Sequence, residues 1–205
     1  MCVDIYQEVK DIAMRSGVWE ANYLDTKDLT FYPEIREICR SNGCGNYGRS
    51  WACPPAIGTL GECRERLVKY PAMLLFSNQY ILEDSFDFDG MHRSLLEFKG
   101  VVDLFQKNLK PILQDFLLLS NEGCQRCTKC TYPDHPCRYP ELLHHSIEGY
   151  GLNIGELAEK ANIRYYNGAN TVTFFGGLLF GRGEADRANA EAKAGWLRQP
   201  ITPVE

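Results

Sequence analysis

The sequence predicts a single α/β or α+β domain in which a mixed sheet is flanked by helices and two cysteine-rich metal-binding loops are set into the chain. Two observations carry the fold. Continuous apolar runs of strand length occur at residues 72–82 and 116–119, and between them Met91, Leu95, Phe98, Val102, Phe105, Leu109 and Ile112 recur at helical spacing. A third observation carries the loops: nine cysteines, seven of them in two groups. At 205 residues and 44% hydrophobic content the chain can bury one core without covalent staples.

Taken in order, Val3, Ile5, Tyr6, Val9, Ile12 and Ala13 mark an amphipathic helix over residues 3–16, stopped by Gly17. Residues 19–24 read as a short strand, and residues 33–38 as a helical turn with proline at its first position, which delivers Cys39. Thr59 and Glu62 have the form of a capping box for a helix running to about Tyr70, its face set by Leu60, Cys63, Leu67 and Tyr70. The run at 72–82 reads as a central strand, and the long stripe that follows ends at Pro111. Residues 140–145 and 153–161 are expected to be short helices. Residues 163–166 and 171–175, separated by a turn at Gly168, are expected to pair as a hairpin closing the sheet. Residues 1–180 form the domain in this reading, and residues 181–205, rich in alanine with balanced charge and no apolar face, a flexible tail.

The strongest chemical signal is Cys124-Gln-Arg-Cys127-Thr-Lys-Cys130-Thr-Tyr-Pro-Asp-His-Pro-Cys137. Spacings of two, two and six residues cannot fall on one face of a helix or strand, so the backbone must curl and turn the sulfurs toward a common centre. Three cysteines each two residues apart, with a fourth close behind, is the pattern that holds an iron-sulfur cubane, whereas zinc usually takes two pairs separated by a longer arm. A [4Fe-4S] cluster is therefore expected on these four residues, with zinc as the alternative.

The second group is Cys39, Cys44 and Cys53, followed by Pro54 and Pro55. Gly43, Gly45 and Gly48 allow left-handed turns and the prolines fix an extended exit, which describes a loop wrapped around something. Spacing alone leaves a metal and simple burial equally open. Cys63, facing the core from its helix, is either the fourth ligand of a second metal centre or an ordinary buried cysteine. His135, His144 and His145 lie near the cysteines in sequence but are read as hydrogen-bonded neighbours and not as ligands. Glu148 is either a general base or a capping carboxylate.

Composition excludes other classes. A net charge of -5 with scattered lysines and arginines lacks the footprint of a nucleic-acid binder, and no apolar run is long enough to span a bilayer. With no secretory layout at the amino terminus, a cytoplasmic location is expected, where cysteines serve metals and redox chemistry more than disulfides. No phosphate-cradling glycine loop, paired metalloprotease histidines or nucleophile elbow is present.

Over roughly residues 30–180 the chain resembles a prokaryotic family of unknown function whose members, frequent in anaerobes, are described as predicted metal-binding proteins. The resemblance rests on the ending of Cys44 to Pro55, on the capped helix with Tyr70, on Gly123-Cys-Gln-Arg-Cys-Thr-Lys-Cys with Cys137 and Pro140, on Ser146-Ile-Glu-Gly-Tyr-Gly-Leu, and on Thr171-Val-Thr-Phe-Phe-Gly. In that family the first two cysteines are often two residues apart and a proline precedes the serine; here four residues separate Cys39 from Cys44, and His145 stands before Ser146. The resemblance implies metal binding and adds weight to the second centre, without implying a reaction. The resulting expectation is an electron-transfer or redox accessory protein with a partner protein. Its rivals are a zinc-stabilised interaction module and an iron-sulfur enzyme with an open coordination position.

Overall fold

The computed structural model describes residues 4–181. Its five strands are β1 (Glu20–Asp25), β2 (Ala72–Ile81), β3 (Phe116–Ser120), β4 (His145–Ser146) and β5 (Thr171–Phe180), joined in one sheet of order β1-β2-β5-β3-β4. All neighbours are antiparallel except β3 and β4, which run parallel, so the sheet is mixed and the architecture α+β. The described α-helices are α1 (Ile5–Arg15), α2 (Pro33–Ser41), α3 (Leu60–Val68), α4 (Phe88–Leu109) and α5 (Ile154–Lys160). None of them is both long and apolar enough to cross a membrane.

Strand alternation sends side chains to two separate cores. Leu74 and Phe76 of β2, Leu118 of β3 and Phe174, Leu178 and Phe180 of β5 meet α1 and α4 on one face. Met73, Leu75, Leu119, Phe175 and Leu179 meet α3, α5 and the loops on the other. A sheet covered on both faces explains why its central strands read as unbroken apolar runs. In β5 the run is interrupted by Gly176 and Gly177, which sit opposite Phe76 and Leu75. A Cβ at Gly176 would come within 2.1 Å of Phe76 Cζ, and one at Gly177 within 2.0 Å of Met73 Cε. The two glycines make room, one on each face, for Phe76 and Met73 of β2.

Local signals set the helix ends. The Asp4 carboxylate caps α1, Thr59 and Glu62 form both halves of the capping box on α3, and Asp87 accepts from Gly90 N at 2.7 Å to start α4. Lys110 closes α4 one residue before Pro111.

Two expectations require correction. Residues 163–166 form no strand: Ile163 N donates to Ala158 O at 2.8 Å and closes α5, and the chain then passes over the surface with Tyr165 and Tyr166 exposed. The partners of β5 are β2 and β3, because its pattern continues through the glycine pair to Phe180. Residues 140–145 hold one 3-10 turn, Pro140–Leu142, and no longer helix, since His145 is drawn into the sheet opposite Leu119. Cys2 and the expected tail from residue 182 onward lie outside the described residues.

Candidate metal centre

The two cysteine loops meet beyond the carboxyl end of β3. After Ser120 the ladder is extended by one side chain: Asn121 N donates to Phe175 O at 2.9 Å, and Phe175 N donates to Asn121 Oδ1 at 3.1 Å. An amide side chain thus stands in for a peptide carbonyl and lets the main chain turn away without orphaning the β5 donor. Glu122 and Gln125 take left-handed φ values of 61° and 57° as the chain curls into the four-cysteine loop.

Cys124, Cys127, Cys130 and Cys137, each half-buried, line one cavity of about 510 Å³ together with Trp51, Tyr132 and other residues of both loops. Arg126 anchors the loop from below: Nε donates to Leu142 O at 2.8 Å and the guanidinium grips both carboxylate oxygens of Asp103 on α4. Within the loop, Thr131 Oγ1 donates to Pro136 O at 2.8 Å and Arg138 to Lys129 O at 3.0 Å. Trp51 crosses from the other loop, donating to His135 O at 3.1 Å and meeting the Tyr132 ring edge-on at 4.9 Å. Burial pushes the Cys124 thiol up, opposed by the Arg126 backbone N–H and guanidinium.

Cys39, Cys44 and Cys53 line a second cavity, of about 220 Å³, with Ser146 and Glu148 on its wall. Cys39 comes from the last turn of α2, whose end is made by Asn42 in the left-handed region at φ 59°; its side chain accepts from Tyr47 N at 2.9 Å. Gly48 N donates to Pro54 O at 2.9 Å and closes the loop that carries Cys44 and Cys53. Cys53 is buried, its thiol pushed up to about 12 by desolvation although the Ser146 hydroxyl opposes the shift. Glu148 sits in the single 3-10 turn after β4, and enclosure of its carboxyl pushes it up to about 7, with Glu122 adding and Lys99 opposing.

Cys63 is not brought to that cavity. It is fully buried on α3 within the second core, Sγ 3.6 Å from Ile57 O and 3.8 Å from an Arg36 nitrogen. Of the expected second quartet, three cysteines face one space and the fourth packs among Leu67, Tyr150 and their neighbours.

The histidines are taken up by their neighbours. His144 Nε2 lies 3.1 Å from Gln106 Oε1 and His145 Nδ1 lies 3.0 Å from the Tyr150 hydroxyl. A residue the sequence reading passed over is Lys99. It is 8% exposed and donates to Ser120 Oγ at 2.9 Å and Asn121 O at 2.7 Å, with no carboxylate at ion-pair distance among the described residues. Burial lowers it to about 8, while Cys124, Glu122, Glu148 and Cys53 pull the other way, so this cation lies within electrostatic reach of both cysteine groups. The signal was present: Lys99 falls four residues after Leu95 and three before Val102, on the apolar stripe itself.

The donors are thiols with a carboxylate, and each set surrounds a cavity. Among the described residues, no three His, Cys, Asp or Glu are gathered closely enough to hold one metal ion. A single tetrahedral ion with thiolate bonds of about 2.3 Å would need sulfurs about 3.8 Å apart.

No curated protein and no solved structure matches the chain. A family model described as a predicted metal-binding protein matches residues 22–180, a span that includes the sheet from Asn22 of β1 to the end of β5 and the eight cysteines from Cys39 to Cys137. The chain belongs to this family, DUF2284, of predicted metal-binding proteins.

Proposed function

We propose that the protein binds a [4Fe-4S] cluster on Cys124, Cys127, Cys130 and Cys137 and serves as an electron-transfer or redox accessory protein for a partner protein in the cytoplasm. The observation that carries this reading is the lining of a single 510 Å³ cavity by all four cysteines of one tightly spaced loop.

The surroundings support a redox role. A cluster there would be ligated by half-buried cysteines near the molecular surface, which keeps an electron close to an incoming partner. Lys99, when protonated, lies within electrostatic reach of Cys124 and favours an anionic thiolate group and its reduced form. His144 and His145 are held by Gln106 and Tyr150, which commits both imidazoles to structural contacts.

The test is a redox titration of protein loaded and kept without oxygen. A reversible spectral change above about -700 mV, the low end for such clusters, is expected. A metal-loaded protein with no reversible change over that range would replace this reading with a structural zinc module.

A further inference from the structure

We infer that Cys39, Cys44, Cys53 and Glu148 form a second iron-sulfur site with three thiolate ligands and one carboxylate, Glu148 taking the place that sequence spacing offered to Cys63. This rests on the proposal that the protein handles iron-sulfur clusters and extends it to the smaller cavity.

Three observations converge. The four donors line one cavity, and hydrogen bonds tie together the segments that carry them. Arg36 of α2, one turn before Cys39, donates to Gly149 O, next to Glu148, and to Gly58 O at 2.6 Å. Tyr32 N donates to Gly151 O at 2.7 Å, and Ser146 N to Ala52 O at 2.9 Å, beside Cys53. The cavity wall is therefore a built structure.

Next, Glu148 is half-buried on the cavity wall, and its carboxylate takes its own backbone N–H while no other residue pairs with it among the described hydrogen bonds and ion pairs. One backbone donor leaves most of the carboxylate's lone pairs available to a metal on the cavity side. Cys63, by contrast, is already placed, with no exposed surface and with its sulfur against Ile57 O and Arg36.

Last, Lys99 is a buried cation held by Ser120 Oγ and Asn121 O with no carboxylate at ion-pair distance among the described residues, and Cys124, Glu148 and Cys53 all lie within its electrostatic reach. An anionic metal-thiolate group in the smaller cavity supplies a counter-charge that the protein alone leaves at a distance.

A carboxylate is a harder and weaker partner for iron in a cluster than a thiolate, so the iron at Glu148 is the one that exchanges ligands. Cys44 is exposed, so the site opens to solvent at its edge. The ligand class for that iron is a small oxygen-donor anion, a carboxylate competing with Glu148.

The experiment loads the full chain with ferric iron, sulfide and a thiol reductant without oxygen, and compares variants by iron and sulfide content and, after ferricyanide oxidation, by electron paramagnetic resonance. The native chain should hold about eight irons, and Cys53→Ser about four. Cys63→Ala should keep about eight, with Cys63→Ser read in its place should the alanine form fold poorly. Glu148→Gln should lose about one iron and show the signal of an oxidised three-iron cluster, and Glu148→Cys should restore about eight and remove that signal. Loss of about four irons in both Cys63 variants, or an unchanged iron count and spectrum in Glu148→Gln, overturns the assignment. Cys127→Ser separates the two readings. If it alone abolishes all iron, the second site fails and the first stands; if the native chain holds only irons that Cys53→Ser removes, the first fails and the second stands.

Discussion

Arg126 of the four-cysteine loop meets Asp103 of α4 edge to edge, one guanidinium nitrogen 2.8 Å from Oδ2 and the other against Oδ1, while its Nε holds Leu142 O. Side-chain exposures of 17% and 29% put this pair between a surface and a buried bridge. Asp103→Asn should therefore cost about 1–2 kcal/mol in urea unfolding of the metal-free protein. It should also speed amide exchange across residues 124–137. Unchanged exchange there would show that Arg126 does not hold the loop.

Lys99 tests electrostatics at the same place. In the loaded protein, Lys99→Met should move the midpoint potential to more negative values, on the order of tens of millivolts, because a reduced cluster loses a nearby positive charge. Potentiometric titration with optical detection reads it. An unmoved or more positive potential would place the cation's effect elsewhere.

The paired histidines predict acid sensitivity. Burial lowers His144 and His145 to about 4, whereas an imidazole in the unfolded chain titrates near 6.5. Between those values the unfolded state binds more protons. Their contribution is complete above about pH 6.5 and is lost as pH falls toward 4. Glu148 acts in the opposite sense: raised to about 7, its contribution is present at low pH and lost as pH rises from about 4.5 through 7. Replacing both histidines by glutamine should flatten the acid side of the stability profile by about 2–4 kcal/mol in total, measured by urea midpoints of metal-free protein at pH 7.5, 6 and 5. Parallel profiles for the two proteins would contradict buried neutral imidazoles.

The glycine pair of β5 predicts unequal costs. At Gly176 the obstacle is the Phe76 ring, itself fixed against Phe98 and Phe105 with centroids 6.2 and 5.4 Å away, whereas at Gly177 it is the terminal methyl of Met73. Gly176→Ala should destabilise by about 2–3 kcal/mol and Gly177→Ala by less, since an unbranched thioether can swing aside. Adding Phe76→Leu to Gly176→Ala should recover part of the loss. Equal costs, or no coupling in that cycle, would mean that ring packing does not set the requirement.

What sequence made legible follows from how local each determinant is. The capping pair Thr59 and Glu62, the stop at Pro111 and the stripe from Leu95 to Leu109 act within a few turns, and each stands where its pattern put it. The end of β5 was not legible, because Gly176 and Gly177 look like a turn until Phe76 and Met73 are seen to need their missing Cβ atoms. Tyr165 and Tyr166 have strand-forming side chains, yet no strand edge is free beside them once β2 and β3 flank β5. The cysteine spacing announced a curled loop, but separating Cys63 from Cys39, Cys44 and Cys53 requires the packing of α3 against the core. Lys99 was hidden by the regularity of its own helix, and its role depends on two loops that lie far from it in sequence.

Metal and acid-labile sulfide analysis of protein purified without oxygen, with its optical spectrum, tests the central claim most directly. The account predicts a brown protein carrying about four irons and about four sulfides that Cys127→Ser removes, beyond any held by the smaller cavity. Stoichiometric zinc with neither iron nor sulfide would contradict it.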